Sequence, residues 1–259
     1  MEKRILLEVI ASSLDDARAA VQGGADRLEL CSALALGGLT PSLGTLEAVK
    51  EELQIPVMCM VRPREGGMSY SDGEFRVMLR DAQNFVKKGA DGLVFGFLRA
   101  GGELDVQRCR RFVEEARAVA GTRPLELVFH RAFDVVVDPQ EALEELAALG
   151  VTRILTSGRA PVATEGLVEI RRYVELARGR IQVLPGGGID LFNVEDVVRA
   201  TGVDQVHLYL PEVLEDHSVM RNPRITFGAY EPRSELEFHR VSRAKVCRVR
   251  ELLDRLRPS

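Results

Sequence analysis

The sequence predicts an α/β fold, a single-domain TIM (β/α)8 barrel, on three observations. First, short β-branched or leucine-rich runs alternate with stretches of helical period, eight times over, the pattern of a parallel sheet covered by helices. Second, Gly24-Ala25-Asp26-Arg27-Leu28-Glu29-Leu30 recurs as Gly89-Ala90-Asp91-Gly92-Leu93-Val94-Phe95, and more loosely from Gly150 and from Gly202. The copies start 65, 61 and 52 residues apart, about two β/α units each, so four quarter-barrels make eight strands. Third, no linker marks the boundary or switch point that a Rossmann-like open sheet would need.

Taken in order, the strands read as Ile5 to Ala11, Arg27 to Ser32, Val57 to Arg62, Leu93 to Leu98, Leu127 to Ala132, Arg153 to Ser157, Ile181 to Leu184 and Gln205 to Leu210. Amphipathic helices lie between them, among them Leu14 to Gln22, Phe75 to Lys87, Val106 to Ala120 and Pro139 to Leu149. The glycine opening each repeat copy is the expected C-cap of the helix before it. Ser71 to Glu74 fits a capping box. Asn193 stands where an N-cap is needed after Pro185-Gly186-Gly187-Gly188. Beyond the eighth strand, residues 211–234 are rich in Pro, Glu and Asn and read as a long, irregular connection, with a C-terminal helix over 236–256. A connection of that length is expected to pack near the barrel or against a second copy.

Strand periodicity sets which side chains face inward. Leu28 and Leu30 share one face of their strand; Arg27, Glu29 and Cys31 share the other. The apolar face has to meet the helices, which turns the polar set into the barrel. Aligned positions put Arg153, Leu155 and Ser157, and Gln205, His207 and Tyr209, on the same side. Glu8, Arg62, Glu126 and His130 follow by parity. Barrel interiors are usually filled with Val, Ile and Leu. A charged interior implies either an internal ion-pair network or a polar pocket, because unpaired buried charge costs several kcal/mol per group.

Carboxyl ends of parallel strands are where barrels collect chemistry. The fifth strand ends in His130-Arg131-Ala132-Phe133-Asp134, combining an acid or base, a guanidinium and a carboxylate. His130, Glu29, Glu8 and Asp134 are therefore the catalytic candidates, with His130 or Glu29 as acid or base and Asp134 orienting a partner. Glu8 and Glu29 on neighbouring strands should raise one another's pKa unless an arginine intervenes. Arg62 and Arg64 close the third strand and are suited to an anion. The loop after them, with Gly66-Gly67, has the composition of a mobile lid. Arg131, Ser157, His207 and Gly187 complete the binding candidates; Gly187 lies in the glycine-rich turn, which is either a phosphate cradle or a plain tight turn. Cys31 is the inward-facing thiol, while Cys59 should face the helices.

The net charge of -4 provides no drive toward nucleic acid. No long apolar run suggests a membrane partner. Four cysteines without C-x-x-C spacing fit a reduced, cytoplasmic setting.

Leu7-Glu8-Val9, the run from Gly23 to Cys31, and Gly37-Gly38-Leu39-Thr40-Pro41-Ser42 resemble the CutC family of copper homeostasis proteins. So do Arg62-Pro63-Arg64, Tyr70-Ser71-Asp72, the run from Phe129 to Asp134, and Leu155-Thr156-Ser157-Gly158. The resemblance implies a TIM barrel, a cytoplasmic location, a homo-oligomer and a role in copper handling. It also implies copper(I) as the bound metal. One position departs: the family commonly has cysteine directly after Leu-Glu-Val, and this chain has Ile10. The expected Cu(I) pair is thereby reduced to Cys31, and weak Cu(I) binding is expected. Three functions stay open: copper handling, an enzyme acting on a small polar or anionic ligand, and an assembly component whose charged interior is structural.

Overall fold

The structure is a computed structural model that describes residues 4–227 and 234–256. Eight strands form the barrel: Leu6–Ala11 (β1), Arg27–Leu30 (β2), Val57–Met60 (β3), Gly92–Phe95 (β4), Glu126–Phe129 (β5), Arg153–Thr156 (β6), Gln182–Pro185 (β7) and Gln205–Leu208 (β8). They pair in parallel in the order β7-β6-β5-β4-β3-β2-β1-β8, and a bridge between Gly186 and His207 closes the ring. The helices between them are Leu14–Gly23 (α1), Leu43–Glu52 (α2), Asp72–Lys87 (α3), Val106–Ala120 (α4), Pro139–Ala148 (α5), Leu167–Ala177 (α6) and Val194–Thr201 (α7). After β8 come two antiparallel strands, Pro211–Glu215 (β9) and Glu237–Val241 (β10), and then Arg243–Asp254 (α8). No helix among the described residues is long and apolar enough to cross a membrane.

Local signals explain these boundaries. Gly24, Gly89, Gly150 and Gly202 all take positive φ, the left-handed conformation that a helix C-cap asks of glycine. Ser71 and Glu74 form a reciprocal capping box at the start of α3. Most strands are shorter than their apolar runs because the chain curls away once the ladder ends. The fifth run continues to Ala132, yet β5 stops at Phe129, and a 3-10 turn occupies Arg131–Val135. His130 makes that turn: the Ala132 N–H donates to its Nδ1 at 3.1 Å.

The C-terminal segment corrects two expectations. The connection expected over 211–234 opens with a strand, Pro211–Glu215, paired with Glu237–Val241, and beyond it residues 216–227 hold only the 3-10 turn His217–Val219; residues 228–233 lie outside the described set. The final helix begins at Arg243, not near 236. The hairpin is anchored to the barrel by Asp16, which is buried and accepts from the amides of Ser12 and Val241. Helix α8 packs against α7 and α1 and completes the outer ring. Gly23 permits that approach, since a Cβ there would lie 2.5 Å from Val246 Cβ.

Facing follows strand parity. Leu28, Leu30 and Cys59 belong to the cluster shared with the helices, whereas Cys31, Met58, Met60, Val94, Val128, Leu155 and Leu184 form a second cluster inside the barrel. Below that apolar layer, toward the amino ends of the strands, lies an ion-pair floor. Arg27 pairs with Glu8 and donates to Gln205. Arg153 pairs with Glu126 at 2.5 Å and donates to Gln182 at 3.2 Å. Both outcomes implied by the charged interior therefore occur, at different depths: paired charges below, and a polar cavity above.

Candidate active site at the barrel mouth

A cavity of about 930 Å³ opens at the carboxyl ends of the strands. Its lining includes Glu29, Cys31, Arg62, His130, Arg131, Gly187 and His207, contributed by five of the eight β/α units. Ile10, Met60 and Leu155 provide its apolar base.

At one side stands a chain of three buried groups. Glu8 receives Arg27 on Oε2, and its Oε1 lies 2.7 Å from His207 Nδ1. The other ring nitrogen of His207 lies 3.9 Å from Glu29 Oε1. Glu29 itself is 3% exposed, and its Oε2 has no hydrogen-bond partner among the described residues. Burial and the nearby Glu8 raise the Glu29 carboxyl to about 7, against the pull of His207 and Arg27. For Glu8, burial acts upward, but Arg27 and His207 outweigh it and hold the group far below the carboxylate range. His207 is pushed down by burial and raised further by Glu29 and Glu8, ending above its ordinary value. Two carboxylates on adjacent strands have thus been driven apart, with the arginine beside Glu8 deciding which one ionises.

His130 faces the same cavity. Its Nδ1 accepts from Ala132, so Nε2 carries the proton, and that N–H is buried without a partner among the described residues. Burial, reinforced by Arg62, lowers this histidine to about 3, which makes it a neutral donor. Gly96 makes room for the ring, since a Cβ there would sit 2.3 Å from His130 Cε1.

The arginines divide differently from expectation. Arg62 donates from Nη1 to the carbonyls of Leu36 and Gly38 and from Nη2 to Gly66, tying two loops to the strand end. Arg64 points away from the cavity to Glu74 and the carbonyls of Glu65, Gly67 and Ser69, with its guanidinium over the Tyr70 ring. The Gly66-Gly67 loop, expected as a mobile lid, has both carbonyls engaged by these arginines. Asp134 is not in the cavity lining. Its carboxylate accepts from Arg131 Nε, Thr156 Oγ1, the Ser157 and Arg159 amides and the Ser157 hydroxyl, which joins the ends of β5 and β6 and fixes Arg131. Ser157 is likewise behind the wall, receiving Arg131 Nη2 at 2.6 Å. Tyr209 and His239 line the mouth from the segment after β8. His239 could not be placed from sequence, because only the pairing of β10 with β9 brings it there.

Two donor sets bear on metal. Cu(I) selects soft ligands, and a tight site needs at least two that converge. Cys31 is the one thiol in the cavity lining, since Cys59 lies on the helix side and Cys109 and Cys247 lie on α4 and α8. Burial, with Glu29 and Asp16, also raises the Cys31 thiol well above its ordinary value, which disfavours the thiolate. A two-thiolate Cu(I) site does not fit these residues. Glu8, Glu29 and His207 offer ligand atoms within 4.8 Å of one another. Glu8 is already committed to Arg27 and His207, which leaves Glu29 and one imidazole nitrogen.

Comparison with known proteins places this barrel among relatives. The CutC family model matches residues 5–210. A CutC family protein from Treponema denticola is 48% identical over 91% of this chain and 94% of its own length. The copper homeostasis protein cutC homolog of Homo sapiens is 45% identical over 86% of this chain and 80% of its own. Among solved structures, a protein named CutC from Streptococcus agalactiae superposes with a TM-score of 0.71 at 36% identity, covering 78% of this chain and 97% of its own. With its eight-stranded barrel and matches of this extent, the chain belongs to the CutC family.

Proposed function

We propose that this chain is an enzyme that binds a small polar, anionic molecule in the barrel mouth and moves a proton on it. Glu29 is the acid–base group, His207 and Glu8 set its protonation, and His130 donates a hydrogen bond to the bound molecule. The observation that carries the reading is the Glu29 carboxylate: 3% exposed, with an unpartnered oxygen, facing a cavity beside His207. A fold gains nothing from leaving such a group unpaired, because desolvation without a hydrogen bond is costly. A ligand that supplies the partner removes that cost, and a carboxyl raised to about 7 is matched to proton transfer near neutrality.

The test is comparative. A small-molecule extract of the source cells is incubated with the purified chain and with Glu29→Gln, and consumed and formed compounds are followed by mass spectrometry. A compound turned over by the native chain and untouched by the variant supports the reading. Identical profiles from the two proteins reject it.

Copper homeostasis, the role in the name of the human relative, is the second reading. It is favoured by one feature, Cys31 and Met60 lining the same cavity. In competition against a Cu(I) chelator the chain should bind weakly compared with a two-thiolate site. A tight one-to-one complex lost on Cys31→Ser would restore copper as the ligand. A cytoplasmic setting is supported by four free cysteines. Association of copies is supported by exposed apolar side chains near the hairpin, Val213, Phe227 and Phe238; a monomer in sedimentation would end that idea.

A further inference from the structure

Resting on the reading of the mouth as a ligand site, we infer that the anionic group of the ligand is a phosphoryl group, held opposite Glu29 by Arg131 and the glycine turn after β7. Arg131 is anchored on one side only. Its Nε donates to Asp134 at 2.8 Å, and its Nη2 donates to Ser157 at 2.6 Å and Ala160 at 3.2 Å. Nη1 has no partner among the described residues, and Arg131 lines the cavity. A guanidinium locked by its other nitrogens is pre-organised, so an oxyanion that it receives costs little side-chain ordering.

The turn facing it is shaped for close approach. Gly187 takes φ +100, and a Cβ there would lie 3.0 Å from Arg131 Nη1 and 3.4 Å from Ser157 Cβ. The loop is held through its carbonyls: Gly187 accepts from the Ala163 amide at 2.8 Å, and Gly188 accepts from Asn193 Nδ2 at 2.9 Å. The amides of Gly188 and Ile189, both in the cavity lining, find no acceptor among the described residues. His130 Nε2, buried in the same wall, is a further donor without a partner. Donors from three places, one of them cationic, suit the three oxygens of a phosphomonoester. Arg62, the residue whose sequence position first suggests an anion site, gives both terminal nitrogens to backbone carbonyls and keeps only its buried Nε unpartnered among the described residues.

The experiment is calorimetric titration of the native chain, Arg131→Lys, Gly187→Ala and Arg64→Lys with inorganic phosphate at low ionic strength, with acetate as control. Native chain and Arg64→Lys should bind phosphate alike, since Arg64 points away from the cavity to Glu74. Arg131→Lys loses the fork while keeping the charge and should weaken phosphate binding by about tenfold, the scale of one charge-assisted hydrogen bond. Gly187→Ala fills the cradle and should weaken binding comparably, with thermal unfolding showing that the variant is folded. Acetate should bind more weakly than phosphate to the native chain. Absence of phosphate binding, equal binding of acetate, or indifference to both the arginine and the glycine substitutions overturns the proposal. The result is independent of the turnover comparison with Glu29→Gln, so either idea can fail while the other stands.

Discussion

Two side chains of the mouth, Glu29 and His130, are buried in opposite protonation regimes, and their linkage to folding has opposite signs. Unfolded Glu29 releases its proton near 4.5 and folded Glu29 near 7, so the folded chain binds more protons in that window and stability falls as pH rises through it. His130 behaves inversely: the unfolded group binds a proton below 6.5 and the folded one only near 3, so stability falls as pH drops through that range. The contributions oppose each other between 4.5 and 6.5. Chemical denaturation across pH should therefore show Glu29→Gln more stable than the native chain at pH 8, on the order of 2 kcal/mol. His130→Asn should decline less than the native chain as pH falls from 6.5, with Glu8 still contributing a loss below 4.5. Curves that bend the same way in both variants would refute these assignments. That Glu29 faces inward was legible from strand parity; that it, and not Glu8, stays protonated was not. The difference arises because Arg27 reaches Glu8 rather than lying between the two carboxylates.

At the scale of elements, the ends of β5 and β6 act as one unit through Asp134. Replacing it with Ala would leave the Ser157 amide and the Thr156 hydroxyl unsatisfied in a buried site and release Arg131. The expected cost is about 2–4 kcal/mol, read as a lowered denaturation midpoint with unchanged slope. The sequence marked the His130 to Asp134 segment as a site, but it could not divide the labour within it. A strand-end carboxylate looks the same whether it meets a ligand or a neighbouring strand. The same limit applies to the arginines after β3. Arg62 and Arg64 satisfy backbone carbonyls of their own loops, a role that leaves no spacing signature. Arg62→Met is accordingly expected to destabilise the mouth loops and raise their hydrogen exchange, rather than act on ligand affinity alone. Unchanged exchange in residues 34–38 and 64–69 would contradict this.

For the whole molecule, the repeat and the parity of its strands carried the architecture, because both follow from backbone geometry that every β/α unit shares. The segment after β8 escaped, since the pairing of β9 with β10 joins residues far apart in sequence and shows no alternation strong enough to identify either strand alone. An ion-pair floor, an apolar middle layer and a polar mouth fill the barrel, and in that mouth Glu29 is held near neutrality facing the cavity. Carbon-13 NMR titration of the Glu29 side-chain carboxyl, assigned with Glu29→Gln, tests that claim most directly. A midpoint close to 7 is the predicted result, and a midpoint in the ordinary carboxylate range near 4.5 would contradict it.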